Sequence, residues 1–178
     1  MSEEPVWFGR IEPTALGQIW VAADAIGLIR LAWQCDETAF IGGLRRLAGA
    51  GPVSFDPTRL AAYTDQVARY LAGTLRVWEI PIDWDILPDF HRRVLQIVAR
   101  IPYGSTRTYG EIAAELGQPG AARAVGRANA TNPMPLVIPC HRVLDSQGRL
   151  HGYGYGLATK AWLLALEGRP AAAQLTLW

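Results

Sequence analysis

The run Ile138-Pro139-Cys140-His141-Arg142-Val143 places a cysteine directly beside a histidine, with a proline before the pair and an arginine after it. The thiolate form of cysteine is the nucleophile, and a neighbouring base or cation lowers the pKa of the thiol. Proline restricts the backbone that presents Cys140. The pair therefore favours nucleophilic chemistry at Cys140, although a buried structural cysteine beside an unrelated histidine explains the dipeptide alone about equally well.

The rest of the composition excludes several other kinds of site. The chain contains two cysteines, Cys35 and Cys140, and they form neither a CxxC motif nor a Cys/His spacing typical of zinc. We therefore expect no disulfide framework, no metal and no cofactor, and Cys35, which ends an apolar run, is interpreted as structural. No segment has the length of a transmembrane helix or the pattern of a secretory signal, which predicts a cytoplasmic protein with no membrane partner.

Charge is distributed unevenly along the 178 residues, although the formal net charge is only +1. Residues 1–85 contain 7 Arg against 11 Asp and Glu and carry −4, whereas residues 86–178 contain 10 Lys and Arg against 5 Asp and Glu and carry +5. A basic half joined to a mildly acidic half is typical of a polyanion-binding domain with a non-binding partner, although small imbalances are common. Almost all the basic residues are arginine, which suits contacts to phosphate.

The first half is predicted to form a small antiparallel sheet with one covering helix. Asp56-Pro57 offers an N-cap and a first-turn proline for that helix, which ends at Gly73. Gly42-Gly43 indicates an irregular connection, and nothing in this half suggests catalysis. The predicted strands are the β-prone runs Val6 to Ile11, Gln18 to Ala23 and Leu28 to Trp33.

The second half is predicted to be mostly helical and to begin after a linker at Asp85–Asp89. Thr108 and Glu111 have the spacing of a capping box at the start of a helix that closes at Gly117. A further helix follows from Ala121, and two short helices joined by a tight turn indicate a helix-turn-helix. The predicted fold class is therefore α+β, with an N-terminal domain (1–85) and a winged helix-turn-helix-like domain (86–178) that carries the cysteine.

The second helix of this motif has an unusual composition of small residues. Arg123 is the one long side chain that projects from a smooth surface formed by Ala122, Ala124 and Gly126. Such a surface permits a very close approach of another molecule, although a tightly packed internal helix has the same pattern.

Taken together, these motifs resemble the O6-alkylguanine-DNA alkyltransferases, also called methylated-DNA–protein-cysteine methyltransferases. The order and spacing of the motifs make the resemblance specific, and it extends from about Phe90 to Gly168. The N-terminal half resembles the family only in length and coarse pattern. The matching motifs are Ile101-Pro102-Tyr103-Gly104, Thr108-Tyr109-Gly110, Ala121-Ala122-Arg123-Ala124-Val125-Gly126, Asn132-Pro133, Pro139-Cys140-His141-Arg142-Val143, Gly152-Tyr153 and Lys160 through Leu163-Leu164 to Glu167.

The resemblance implies DNA repair by transfer of an alkyl group from O6 of guanine to Cys140, with O4-alkylthymine as a further candidate substrate. The thioether product cannot be reversed by ordinary thiols, so the protein acts once. By resemblance, Glu167 orients His141, which removes the thiol proton through a water. A carboxylate at a helix C-terminus is disfavoured by the helix dipole, so the position of Glu167 also favours a functional role.

The resemblance also implies a DNA partner whose target base is flipped out of the duplex. Arg123 would fill the vacated space, and Tyr109 would push the flanking phosphate and help to hold the base. The helix that carries Ala122, Ala124 and Gly126 would enter the minor groove. Asn132 resembles the hinge asparagine that, in the family, ties this helix to the cysteine loop. We expect the protein to be a monomer.

The expected substrate pocket departs from the family pattern in one loop. By resemblance, Pro135 and Tyr153 line the pocket, and the Val143 carbonyl accepts a hydrogen bond from the guanine amino group. The loop reads Tyr153-Gly154-Tyr155-Gly156, whereas many relatives have a small residue followed by Gly-Gly after the tyrosine. Gly154 offers a backbone N–H but no hydroxyl, and the ring of Tyr155 is expected to exclude bulky alkyl groups.

Two alternatives from other classes are a non-catalytic lesion-binding or regulatory helix-turn-helix protein and a cysteine hydrolase with His141 as base. The first predicts DNA binding without modification of the Cys140 thiol. The second predicts turnover of esters or amides without DNA, but base and nucleophile in such enzymes are usually distant in sequence.

Overall fold

The computed structural model describes residues 5–48 and 51–169, and the chain divides into two compact units between Pro88 and Asp89. The sequence places the boundary three residues earlier, after residue 85. The difference arises because Ile86 packs against the core of the N-terminal unit, and because Asp83 donates its backbone N–H to Leu28 of the same unit. None of the helices in these described ranges could span a bilayer.

The described part of the N-terminal unit contains four strands and two α-helices. In chain order they are β1 (Val6–Ile11), β2 (Ile19–Ala23), β3 (Leu28–Trp33), α1 (Glu37–Ala48), β4 (Val53–Phe55) and α2 (Ala61–Leu71). The three predicted strands are present, and the sheet has the order β3-β2-β1-β4. Its one departure from the predicted antiparallel arrangement is β4, which runs parallel to β1 because the chain returns through α1, and such crossovers join parallel strands.

Helix α1 runs directly through Gly42-Gly43, so the predicted irregular connection there is wrong. Burial of Phe40 and Leu44 against the sheet outweighs the poor helix propensity of glycine, about 1 kcal/mol per residue. Gly43 also has a packing role, because a Cβ at this position would lie 2.5 Å from the guanidinium of Arg30. Tertiary packing therefore decides the conformation of this segment.

The second helix begins later than Asp56-Pro57 predicts, because Asp56 caps an irregular turn and accepts a hydrogen bond from the Arg59 N–H at 3.0 Å. Regular helix starts only at Ala61. Leu60 packs against Gly9 of β1. Successive residues of a strand face opposite sides of the sheet, so Gly9 lies on the face opposite to Phe8, which belongs to the cluster covered by α1. Helical segments therefore cover both faces of the sheet, and the prediction of a single covering helix is wrong.

The C-terminal unit is mostly helical in its described residues, and the predicted α+β fold class is confirmed. Its elements are α3 (Asp89–Ala99), β5 (Arg107–Thr108), α4 (Tyr109–Glu115), α5 (Ala122–Ala130), a 3₁₀-helix (Cys140–Arg142), β6 (Val143–Leu144) and α6 (Leu157–Leu166).

The predicted capping box is present at the start of α4. Thr108 Oγ1 accepts a hydrogen bond from the Glu111 N–H at 3.2 Å, and the Glu111 carboxylate accepts one from the Thr108 N–H at 2.6 Å. The Thr108 hydroxyl also donates to this carboxylate at 2.9 Å, and the bonds from the Thr108 N–H and hydroxyl hold the pKa of Glu111 below its usual value. Gly117, at φ +72°, ends this segment as predicted, because a left-handed residue there satisfies free helix carbonyls.

One contact holds the helix-turn-helix together, and a second positions it relative to the cysteine segment. Helix α4 packs on α5, which buries Val125, Ala128 and Asn129. Strands β5 and β6 pair in parallel, with Thr108 opposite Leu144. This pairing brings the first residue of α4, Tyr109, to the chain that immediately follows the 3₁₀-helix.

Candidate active site

Cys140 is the first residue of the 3₁₀-helix and is 7% exposed. Its N–H donates to the Ile138 carbonyl at 2.8 Å, and Pro139 accepts a hydrogen bond from the Arg142 N–H at 2.9 Å. The sharp turn thus presents the thiol from a backbone that is held on both sides. Burial raises the pKa of Cys140, whereas the Asn132 side chain and the Lys160 ammonium oppose this effect.

His141 is fully buried and is bonded to the carboxylate of Glu167. Its Nε2 lies 3.0 Å from Glu167 Oε1. A carboxylate accepts hydrogen bonds, so Nε2 carries the proton and the lone pair is on Nδ1. Burial lowers the pKa of His141 below its usual value, although Glu167 acts in the opposite direction. A neutral histidine, whose Nδ1 carries a lone pair, is suited to accept the proton of the adjacent thiol.

Glu167 caps the C-terminal end of α6, as predicted, and its carboxylate is surrounded by donors. Besides His141, it accepts bonds from Arg142 Nε at 2.9 Å, Arg142 Nη2 at 2.7 Å and the Gly104 N–H at 3.1 Å. Gly104 has φ +71°, and a Cβ there would lie 2.9 Å from the Glu167 carbonyl oxygen. These donors stabilise the negative charge of the Glu167 carboxylate and compensate for its unfavourable position on the helix dipole.

Arg142 is a site residue that the sequence analysis did not assign. Its side chain is 4% exposed, and its Nη1 donates to the Ile101 carbonyl in addition to the contacts with Glu167. Its guanidinium lies 5.8 Å from the ring centroid of Tyr103. The only sequence signal for a role of Arg142 in the site is its position next to the Cys-His pair. The local pattern does not predict that its side chain is buried.

Lys160 is a second buried cation, and its sequence motif does not predict its role. Its Nζ donates to the Val143 carbonyl at 2.6 Å and to the His151 carbonyl at 3.1 Å, and burial lowers its pKa to about 8. The Val143 carbonyl, predicted as an acceptor for guanine, therefore already accepts one hydrogen bond. A carbonyl oxygen has two lone pairs, so it can accept a second.

Asn132 links the end of α5 to the cysteine segment, in the position expected of a hinge. Its Nδ2 donates to the Ile138 carbonyl at 2.8 Å, and its Oδ1 accepts from the Met134 N–H at 3.0 Å. Pro135 is buried within this connection and forms an isolated bridge with Ile138. The two hydrogen bonds hold the chain that leads into Cys140.

Tyr109 and α5 lie on the side of the site that is predicted to contact DNA. The Tyr109 hydroxyl donates to the His151 carbonyl at 3.2 Å, and its ring lies 3.9 Å from a Cβ placed on Gly126. Arg123 is exposed, whereas Ala122 and Ala124 are half-buried. Arg127, one turn further along α5, is exposed as well, so Arg123 is not the one long side chain that projects beside these small residues.

The loop before α6 contains the two aromatic residues of the expected pocket. The rings of Tyr153 and Tyr155 are 6.0 Å apart and inclined by 56°, and both residues are half-buried. Gly154 between them is exposed. The Tyr155 carbonyl accepts a hydrogen bond from the Thr159 hydroxyl at 2.8 Å, which ties the loop to the first turn of α6.

Cys35 has a different environment, in the wall of an open cavity of about 400 Å³ in the N-terminal unit. Among the described residues that line this cavity there is no histidine. Burial raises the pKa of the Cys35 thiol, and its carbonyl accepts a hydrogen bond from Trp20 Nε1 at 3.2 Å. Only Cys140, of the two cysteines, is thus adjacent to an oriented base.

Comparison with protein families and curated sequences gives a consistent result. Residues 89–169 match the model of the DNA-binding domain of 6-O-methylguanine DNA methyltransferase. A methylated-DNA–protein-cysteine methyltransferase of Mycolicibacterium paratuberculosis is 45% identical over 154 residues, which cover 76% of this chain and 93% of the relative. A protein of the same name from Salmonella typhimurium is 40% identical over 159 residues, covering 87% and 92% respectively.

Solved structures extend the similarity to the fold of both units. The crystal structure of Mycobacterium tuberculosis O6-methylguanine methyltransferase is 38% identical, has a TM-score of 0.76, and covers 97% of this chain and 98% of its own. The crystal structure of M. tuberculosis OGT in complex with DNA is 36% identical, has a TM-score of 0.77, and covers 94% and 96%.

Proposed function

The chain belongs to the family of methylated-DNA–protein-cysteine methyltransferases and repairs DNA by moving an alkyl group onto a cysteine, and we propose that the acceptor is Cys140 and the substrate O6-alkylguanine. The observation that carries this proposal is the hydrogen bond of 3.0 Å between Glu167 and the histidine adjacent to Cys140. No histidine is among the described residues that line the cavity beside Cys35. The alternative of a non-catalytic lesion-binding protein has no support among the relatives.

The proposed reaction exchanges one alkyl group for one proton. The sulfur of Cys140 forms a bond to the alkyl carbon while the bond from that carbon to O6 breaks, and its electron pair stays on guanine. The thiol proton passes to His141 and is finally carried by the released guanine. Because burial keeps the thiol protonated at rest, the base must act as the substrate reacts. The thioether is stable, so each protein molecule acts once.

The chain binds DNA, and we propose that double-stranded DNA with a flipped O6-alkylguanine is the form it recognises. Exposed Arg123 on a surface of small residues supports insertion into the stack, and Tyr109 lies between that surface and the His151 carbonyl. A monomeric state stays a prediction from the sequence. A cytoplasmic location stays a prediction from the sequence.

Intact-protein mass spectrometry tests the proposal directly. We expect the wild-type protein, mixed with a duplex that contains one O6-methylguanine, to gain the mass of one methylene on the peptide that contains Cys140. The amount of repaired DNA should not exceed the amount of protein. An unmodified protein, or repair of many duplexes per molecule, would contradict the proposed reaction.

Replacement of Arg123 by alanine should slow repair of a duplex lesion more than reaction with free O6-methylguanine. Flipping the base costs a few kcal/mol, and Arg123 offsets part of this cost by filling the vacated space. Its removal should therefore reduce the rate of duplex repair by roughly ten- to a hundredfold. The free base needs no flipping, so its rate should be nearly unchanged. Arg127→Ala, which removes another exposed arginine of α5, is the matched control. Equal losses on both substrates would assign Arg123 a structural role instead.

Replacement of Tyr155 by glycine should widen the range of alkyl groups that the protein accepts. The ring lies beside that of Tyr153 in the loop that we propose lines the pocket, so removing it should leave more space for the O6 substituent. We expect the rate ratio of O6-benzylguanine to O6-methylguanine to rise by about tenfold or more, as for other changes in pocket size. Tyr155→Phe retains the ring and should keep the wild-type ratio. An unchanged ratio in Tyr155→Gly would remove Tyr155 from the pocket.

A further inference from the structure

The carboxylate of Glu167 is shared between two residues of the same 3₁₀-helix. His141 bonds to Oε1, and Arg142 donates to both oxygens at 2.7 and 2.9 Å. All three side chains are at most 4% exposed, so water does not screen these contacts. The carboxylate therefore faces a full positive charge on one side and the base on the other.

Arg142 is itself held by the turn that follows α3. Its Nη1 donates to the Ile101 carbonyl, and its guanidinium lies against the ring of Tyr103. The Tyr103 hydroxyl in turn donates to the Leu166 carbonyl at 3.0 Å, in the last turn of α6. This arrangement gives the guanidinium little freedom to leave Glu167.

We propose that Arg142 is a positioning residue for alkyl transfer: it fixes the Glu167 carboxylate and balances its charge, so that His141 remains neutral and able to accept the thiol proton. The inference rests on the proposed roles of Cys140 and His141. A buried carboxylate bonded to histidine alone would favour the imidazolium form, which cannot accept a proton. Burial is the largest effect that opposes this preference, and the guanidinium opposes it further while the hydrogen bond that orients the ring is kept.

The charged and titratable groups around His141 agree with this role. Glu167 favours the protonated histidine, whereas burial, Arg142 and Lys160 disfavour it, and the neighbouring Cys140 is a thiol at rest. The net effect lowers the pKa of His141. Lys160 bonds to the backbone carbonyls of Val143 and His151, whereas Arg142 bonds to the same carboxylate that orients His141.

The test compares Arg142→Gln with wild type by the pH dependence of transfer and by ¹⁵N chemical shifts of the His141 ring. In wild type we expect a neutral ring and a flat rate between about pH 6.5 and 8. In Arg142→Gln the pKa of His141 should rise by about one unit or more, because the guanidinium no longer balances the negative charge of Glu167. The rate should consequently fall about tenfold for each pH unit below the new pKa.

Three further variants separate positioning from folding. Arg142→Gln/Glu167→Gln removes both charges, and its His141 should stay neutral as in wild type. Arg142→Lys keeps the charge but cannot contact both oxygens and Ile101, so it should retain a neutral His141 and transfer more slowly. Arg93→Met, at an exposed arginine of α3, should behave as wild type.

The outcomes distinguish this inference from the proposed function. Wild-type protein that transfers no alkyl group to Cys140 would overturn the proposed function itself. Normal transfer by wild type, together with an unshifted His141 in Arg142→Gln, would overturn only the role of Arg142. If Arg142→Gln does not fold, a wild-type transfer rate in Arg142→Lys would overturn it as well.

Discussion

Replacement of Cys140 by serine or alanine should abolish alkyl transfer while DNA binding stays close to that of wild type. A serine hydroxyl is a far weaker nucleophile than a thiol, and loss of the nucleophile in a comparable triad costs roughly 10⁶-fold. The exposed face of α5 is not altered by either change. Transfer is measured as labelled methyl bound to protein, and binding is measured with an unmodified duplex.

Cys35→Ser is the matched control for this experiment. It also replaces a partly buried thiol by a hydroxyl, but Cys35 lies in the N-terminal unit without a described histidine beside it. We expect full transfer by this variant. Transfer at the wild-type rate by Cys140→Ser, or methyl label recovered on Cys35, would refute the assignment of the acceptor.

His141 and Glu167 should act as one unit in transfer. His141→Ala should slow transfer by about 10²- to 10⁴-fold, the usual contribution of a general base. Glu167→Gln should also slow it, because the amide cannot stabilise the imidazolium that forms as the thiol loses its proton. The double variant should be little slower than His141→Ala, since Glu167 acts through the histidine.

The stability of the Glu167 variants must be measured alongside their rates. Removal of the carboxylate leaves the buried Arg142 without its ionic partner, and breaking a buried pair costs about 3–5 kcal/mol of unfolding free energy. Urea denaturation gives the folded fraction, and rates are compared per folded molecule. Fully additive losses in the double variant would mean that His141 and Glu167 contribute independently.

Short-range patterns were sufficient to predict the helix-turn-helix. The capping box joins Thr108 and Glu111, which are three residues apart, and a left-handed glycine ends α4. Such interactions depend on local backbone geometry and hold wherever the segment lies. The failures at Gly42-Gly43 and at Asp56-Pro57 have the opposite cause, because contacts with Arg30 and with the sheet decide those segments.

By itself, the sequence determined the fold class, the family resemblance and the candidate nucleophile with its base, since Cys140 and His141 are adjacent in the chain. The tertiary structure decided what surrounds them. Glu167 is 26 residues from His141, and the Ile101 carbonyl is 41 residues from Arg142, so no local pattern predicts that Arg142 turns inward. Burial of His141 and Lys160 is likewise a property of packing. Because burial and the placement of these charges set the protonation of the base, the chemistry of the pair depends on the fold and not on the motif alone.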